Sequence, residues 1–259
     1  MTAVIPHLAG KYMTFESYAR ASLTDIFGSA LLAKAHRFEV NTLESGVLLN
    51  DGSGHFHFQS LPRLAQTSPG FGVVLTDMDG DGKTDLYLVQ NFFSPQPETG
   101  RMDGGISILC RGNGDGTFTP IPPEKSGLMV TGDAKSLVTT DLNGDGWPDF
   151  LVGINDAEPL AYINRGSTEN RVINLRLKGK AGNPTAIGSR VTITSADGSR
   201  QTAEVLAGGG YFSQSSGLLT FGLGRSSTIK SVYIRWPNGA SSSHSVIHDQ
   251  KTILISQPD

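Results

Sequence analysis

Nine residues, Asp77-Met78-Asp79-Gly80-Asp81-Gly82-Lys83-Thr84-Asp85, place carboxylates at positions one, three, five and nine of a short loop. Carboxylates this close repel one another unless a cation sits among them. Hard oxygen donors on a flexible loop suit Ca2+ far better than Zn2+ or Cu2+. Two glycines stand where the backbone must fold back on itself. The pattern returns 64 residues later (141 − 77) as Asp141-Leu142-Asn143-Gly144-Asp145-Gly146-Trp147-Pro148-Asp149. A single copy reads as an Asx-type surface turn that binds nothing. Two copies in one register point to metal.

The elements that hold these loops are strands. An EF-hand loop sits between helices and ends in a bidentate Glu, but the twelfth residue here is Leu88 in one copy and Val152 in the other. The flanking runs Phe71–Leu75, Leu86–Val89, Leu137–Thr140 and Phe150–Val152 are short, β-branched or aromatic, and bounded by Gly and Asp. Such runs read as strands, so each loop is a strand-to-strand connector.

The chain has 259 residues, 37% hydrophobic and 17% charged, with 32 glycines. That length supports one large or two medium domains with real cores. Abundant glycine with modest charge favours many short strands joined by tight turns. A net charge of −3 points to neither a nucleic-acid nor a membrane surface. Cys110 is alone, so no intrachain disulfide forms. No apolar run is long enough to span a membrane, and no signal peptide is read in Met1–His7.

Apolar residues from Thr14 to about Ala35 fall at helical steps, with Thr14 as N-cap. One amphipathic helix packed on neighbouring strands is expected there, with a partner-binding helix as the other reading. Thr42–Leu49 and His55–Phe58 around Asn50-Asp51-Gly52-Ser53-Gly54 read as a hairpin, as does Ile106–Phe118. A shorter version runs from Asp141 to Gly166. The 64-residue spacing fits one four-stranded propeller blade.

These loops resemble the FG-GAP/VCBS repeats, related to the propeller repeats of integrin α-subunits. The resemblance implies Ca2+ held by the first, third, fifth and ninth side chains and the seventh carbonyl. Site one is then Asp77, Asp79, Asp81, the Lys83 carbonyl and Asp85. Site two is Asp141, Asn143, Asp145, the Trp147 carbonyl and Asp149, with Asn143 one charge short. Residues 1–166 hold two such loops, whereas propellers close with about four to eight blades. An open arc leaves strand edges and an apolar flank bare. The expectation is that the missing blades lie upstream in a longer protein, the alternative being that something else covers the edges. Residues 1–166 alone are expected to self-associate, and 168–259 to be the better-behaved fragment.

From about Glu169 the pattern changes to six short strands: Arg171–Leu177, Ser189–Thr194, Thr202–Leu206, Leu218–Phe221, Ile229–Trp236 and Thr252–Ile255. Asn183-Pro184-Thr185-Ala186-Ile187-Gly188, Gly208-Gly209-Gly210-Tyr211-Phe212-Ser213-Gln214-Ser215, Phe221-Gly222-Leu223-Gly224 and Trp236-Pro237-Asn238-Gly239 come in the order of the ASPIC/UnbV domain. The region resembles that family, so 167–259 is expected to be a second all-β domain. The whole chain is then all-β, a partial propeller followed by this domain.

Other constellations carry less. His55 and His57 would share a strand face as two metal ligands do, but no third ligand is near. His244 and His248 fall beside Ser241-Ser242-Ser243, which reads as loop. Ser213 and Ser215 form no nucleophile elbow, and Gly208-Gly209-Gly210 lacks the strand and helix of a nucleotide loop. Acidic loops can support metal-assisted hydrolysis, but a cation surrounded by protein oxygens has little room for substrate. The expectation is a non-catalytic, calcium-binding interaction module that recognises protein or glycan. The resemblances place it outside the cell, at the cell surface or in the periplasm. The alternative is the non-catalytic carbohydrate-binding portion of a larger secreted enzyme.

Overall fold

The computed structural model describes residues 5–225, 228–245 and 251–258. The chain forms two compact units, Met1–Leu43 and Glu44–Asp259. In the first lie α1 (Leu8–Lys11), α2 (Phe15–Ala19), α3 (Leu23–Phe27) and α4 (Ser29–Leu32). The single helix expected over Thr14–Ala35 is therefore broken into three. Thr14 caps α2 as expected, in a reciprocal pair with Ser17. Ser22 then takes extended backbone to cap α3 with Asp25, which α2 cannot run through. Gly28, at φ 79°, ends α3. Broken this way, the apolar positions no longer form one face. None of α2, α3 and α4 buries a residue, and Phe15 is 96% exposed.

The second unit opens with a hairpin of β1 (Gly46–Asn50) and β2 (Phe56–Ser60). A four-stranded antiparallel sheet follows, β3 (Gly70–Thr76), β4 (Asp85–Gln90), β5 (Ile108–Gly112) and β6 (Phe118–Ile121), paired in that order. After α5 (Pro123–Ser126) comes a three-stranded sheet of β7 (Ala134–Thr140), β8 (Asp149–Ile154) and β9 (Leu160–Tyr162). All six residues of β4 are buried. Successive strand side chains point to opposite faces. Leu86 and Leu88 thus pack with Leu61, Ala65, Ile108 and Cys110. Tyr87 and Val89 pack with Leu137, Phe150 and Val152 of the next sheet. The four-stranded sheet, the three-stranded sheet and the hairpin make a partial propeller, with no closed ring among the described residues.

Polar groups also tie the two sheets together. Asn91, fully buried with φ 90°, donates through Nδ2 to the carbonyls of Gly105 (2.8 Å), Thr131 (3.2 Å) and Gly132 (3.1 Å). Its Oδ1 accepts from the Gly105 amide at 2.9 Å. Asn91→Ala strands these partners without water, and is expected to cost about 3 kcal/mol. An unchanged urea midpoint in the variant would contradict that bridging role.

The C-terminal strands are β10 (Arg171–Lys178), β11 (Arg190–Ser195), β12 (Arg200–Glu204), β13 (Leu218–Gly224), β14 (Ile229–Arg235), β15 (Ser241–Ser245) and β16 (Thr252–Ser256). They form the sheets β12-β11-β14-β15 and β13-β10-β16, in which β10 and β16 run parallel. Trp236, Ile193, Ile234, Leu175 and Phe221 share their core. All six expected strands are present, but the serine-rich stretch read as loop is the strand β15. The turn that closes with Trp236 N–H on the Ala240 carbonyl sets its register against β14. Ladder bonds come from the backbone, so weak serine propensity is overridden. His244 lies in β15 and bonds Ser242, while His248 is outside the described residues.

Between β12 and β13, the chain reaches the free edge of β7. Ser216 N–H donates to the Thr139 carbonyl at 3.1 Å, Thr139 N–H to Ser215 Oγ at 3.1 Å, and Ser213 Oγ to the Leu137 carbonyl at 3.3 Å. Tyr211 stacks edge-on against Phe71 of β3, 5.1 Å between ring centres. The edge expected to lie bare on this blade is therefore covered by the protein's own C-terminal half.

Candidate metal centre

The first acidic loop joins β3 to β4 across the end of their ladder, where Thr76 faces Asp85. Its turn runs through Gly80 and Gly82 at φ 75° and 89°, a region closed to most side chains. Asp77 closes the turn by accepting from Gly80 N–H through Oδ1 and from Gly82 N–H through Oδ2, both 2.7 Å. Asp85 anchors the far end, its two oxygens accepting from Met78 N–H and Gly112 N–H at 2.9 Å each. Carboxylate oxygens of Asp77, Asp79 and Asp85 all lie within 4.8 Å of one another. Asp77 and Asp85 are buried, and neither forms an ion pair among the described residues. Burial, more than the neighbouring carboxylates, pushes Asp77 up to about 7 and Asp85 to about 6. A cluster of hard oxygen donors whose two buried members, Asp77 and Asp85, have no ion pair among the described residues fits a cation of the Ca2+ type.

The fourth predicted side chain, Asp81, is only 12% exposed but stands outside that cluster. Arg111 on β5 bridges it to Asp79, with Nη2 2.8 Å from Asp81 Oδ2 and Nε 3.0 Å from Asp79 Oδ2. Lys83, expected to supply a carbonyl, also donates its N–H to Asp81 Oδ1 at 2.9 Å.

The second loop follows the same path from β7 to β8, with Gly144 and Gly146 at φ 75° and 94°. Asp141 accepts from Gly144 N–H (2.8 Å) and Gly146 N–H (2.9 Å). Asp149 accepts from Leu142 N–H and Asn164 N–H, both 2.7 Å. Here Asn143 donates its amide to Asp145 at 2.8 Å, and Trp147 N–H also bonds Asp145. Among the described residues only the first loop gathers three acidic side chains into one cluster. Asp141, Asp145 and Asp149 stand farther apart.

Sequence reasoning missed what lies beneath these loops. Asn164 Nδ2 donates to the Met78 carbonyl, Asn170 Nδ2 to Asp79 and Asn174 Nδ2 to Gly146, at 2.9, 2.9 and 2.8 Å. Gly224 N–H donates to the Gly80 carbonyl at 2.8 Å. A Cβ on Gly222 would lie 1.8 Å from Asp77 Oδ2, so only glycine lets β13 pass this close. The loops thus rest on the C-terminal sheet instead of forming a free outer surface. Asn174 was the available signal, a polar residue inside the apolar run Val172-Ile173-Asn174-Leu175.

Beside Arg111, a cleft of about 580 Å³ opens between the blades, walled by Leu109, Phe150, Ile163, Lys125 and Arg165. The other candidates come apart. His55 lies in the turn before β2, its Nδ1 3.3 Å from Asp51 Oδ2, so it does not pair with His57 on a strand face. Ser213 and Ser215 bond the β7 backbone, as described above, and act as an edge cover. Cys110 is buried, its thiol pushed up to about 11 by that burial.

Residues 40–88 and 99–152 match the FG-GAP-like repeat family, and residues 179–259 match the ASPIC and UnbV family. In this order the two matches give the chain an arrangement of FG-GAP-like repeats followed by an ASPIC and UnbV domain. It is similar to cartilage acidic protein 1 of Mus musculus, 26% identical over 210 residues that make up 79% of this chain and 31% of the relative. Against cartilage acidic protein 1 of Homo sapiens the identity is 25%, over 79% of this chain and 30% of the relative. The chain spans about a third of the length of these relatives.

Proposed function

We propose that this chain is a calcium-dependent, non-catalytic interaction module that works outside the cytoplasm. The observation that carries the reading is the first loop, where Asp77, Asp79 and Asp85 converge within 4.8 Å. Asp81 and the Lys83 carbonyl complete that site, and Asp141, Asn143, Asp145, the Trp147 carbonyl and Asp149 form a second. Bound Ca2+ supplies the positive charge the buried carboxylates lack and stiffens each blade end. The module boundary falls near residue 167, with a protein as the favoured partner class and a glycan as the alternative.

Isothermal titration of Ca2+ into EDTA-stripped protein is expected to show two sites, with Mg2+ a poor substitute because it demands compact octahedral coordination. Ligand that binds only the folded state stabilises by RT ln(1 + [L]/Kd), about 2.7 kcal/mol at a hundredfold excess over Kd. No heat with Ca2+, or equal binding of Mg2+, would overturn the reading. Glycan-array binding that EDTA abolishes would favour the carbohydrate-binding alternative.

A further inference from the structure

We propose that Arg111 is a built-in counter-cation of the first loop. It holds Asp79 and Asp81 when no divalent ion is bound and must leave them for one to bind, which weakens the first site. The inference rests on the calcium reading above. Both oxygens of each carboxylate are engaged: Asp79 Oδ1 accepts from Asp81 N–H and Asp81 Oδ1 from Lys83 N–H, while the two Oδ2 atoms share the guanidinium. An ion entering the loop has to win oxygens from a positive charge that also repels it.

The second loop provides an internal comparison. Gly112 N–H bonds Asp85 in one repeat, and Asn164 N–H bonds Asp149 in the other. The residues just before them, Arg111 and Ile163, therefore occupy equivalent positions, and only the first repeat has a cation there. Arg111 has room to move aside, since its side chain is 48% exposed and borders the open cleft beside the loop. Its pair with Asp79, itself 39% exposed, is of the weak surface kind, whereas Asp81 is only 12% exposed and holds it more firmly.

The test is calorimetric titration of the full chain with CaCl2 alone, in backgrounds that isolate each site. With the second site removed by Asp145→Ala, Arg111→Gln should tighten the remaining site by roughly tenfold or more. With the first removed by Asp81→Ala, Ile163→Arg should weaken the remaining site by a similar factor. Both positions are exposed, and a thermal melt of each variant confirms that it is folded. If Arg111→Gln leaves the affinity unchanged or lowers it, Arg111 does not compete with the ion and the inference falls while calcium binding stands. Failure of Ile163→Arg to weaken its site would overturn it in the same way. Absence of calcium heat in every background would instead sink the calcium reading.

Discussion

Asp85→Ala and Asp149→Ala are expected to destabilise the protein by about 3 kcal/mol or more in EDTA, before any metal is considered. Each carboxylate is buried, and each accepts two backbone N–H groups, from Met78 and Gly112 or from Leu142 and Asn164. Removing it leaves both donors away from water, at about 1–3 kcal/mol apiece. Asp79→Ala should behave differently. Its side chain is 39% exposed and its ion pair with Arg111 is of the surface kind, so the EDTA-treated variant should stay within about 1 kcal/mol of the parent. Calcium stabilisation from the first loop should nonetheless vanish. Urea midpoints of the variants, with and without calcium, separate the two roles. Equal losses for Asp79→Ala and Asp85→Ala in EDTA would show that position nine has no special structural part.

In chelator-treated protein, the melting temperature is expected to fall as pH rises from about 4 to about 7. Burial lifts Asp77 to about 7 and Asp85 to about 6, from an ordinary 3.8. Between those values the folded chain keeps protons that the unfolded chain has released, so stability declines with pH. The contribution is complete below the unfolded value and is lost as pH climbs through the folded ones. Asp133 acts in a lower window. Burial alone would raise it, but hydrogen bonds from Lys135, Phe93 N–H and Asn155 hold it below the usual carboxylate range, so its contribution disappears only as pH falls further. Calcium requires ionised carboxylates. Its addition should therefore raise the melting temperature little near pH 5 and most above pH 7. A metal-free melting temperature that climbs between pH 5 and 7 would contradict this assignment.

The blade strands, both loops and the order of the C-terminal strands were legible because each follows a local rule: strand alternation, glycine at positive φ, and Asx turns. What escaped was set by partners distant in sequence. Serines carry no strand signal, so β15 exists only because β14 offers it a ladder. Arg111 lies 30 residues from Asp81, and nothing in its neighbourhood marks it as that carboxylate's partner. Helical spacing was real over Thr14–Ala35, yet Ser22 as a second N-cap decided the outcome. The covering of β7 was weighed only as an alternative, since nothing within Ser213–Ser216 itself names the backbone partners it finds some 76 residues away.

That covering has a consequence for access. In a propeller the first strand of each blade lines the axis of the ring, and β3 and β7 are the first strands here. Tyr211 sits on Phe71 of β3, and Ser213–Ser216 lies along β7. Any strand or ligand approaching the inner edge of β7 would therefore have to displace Ser213–Ser216 first.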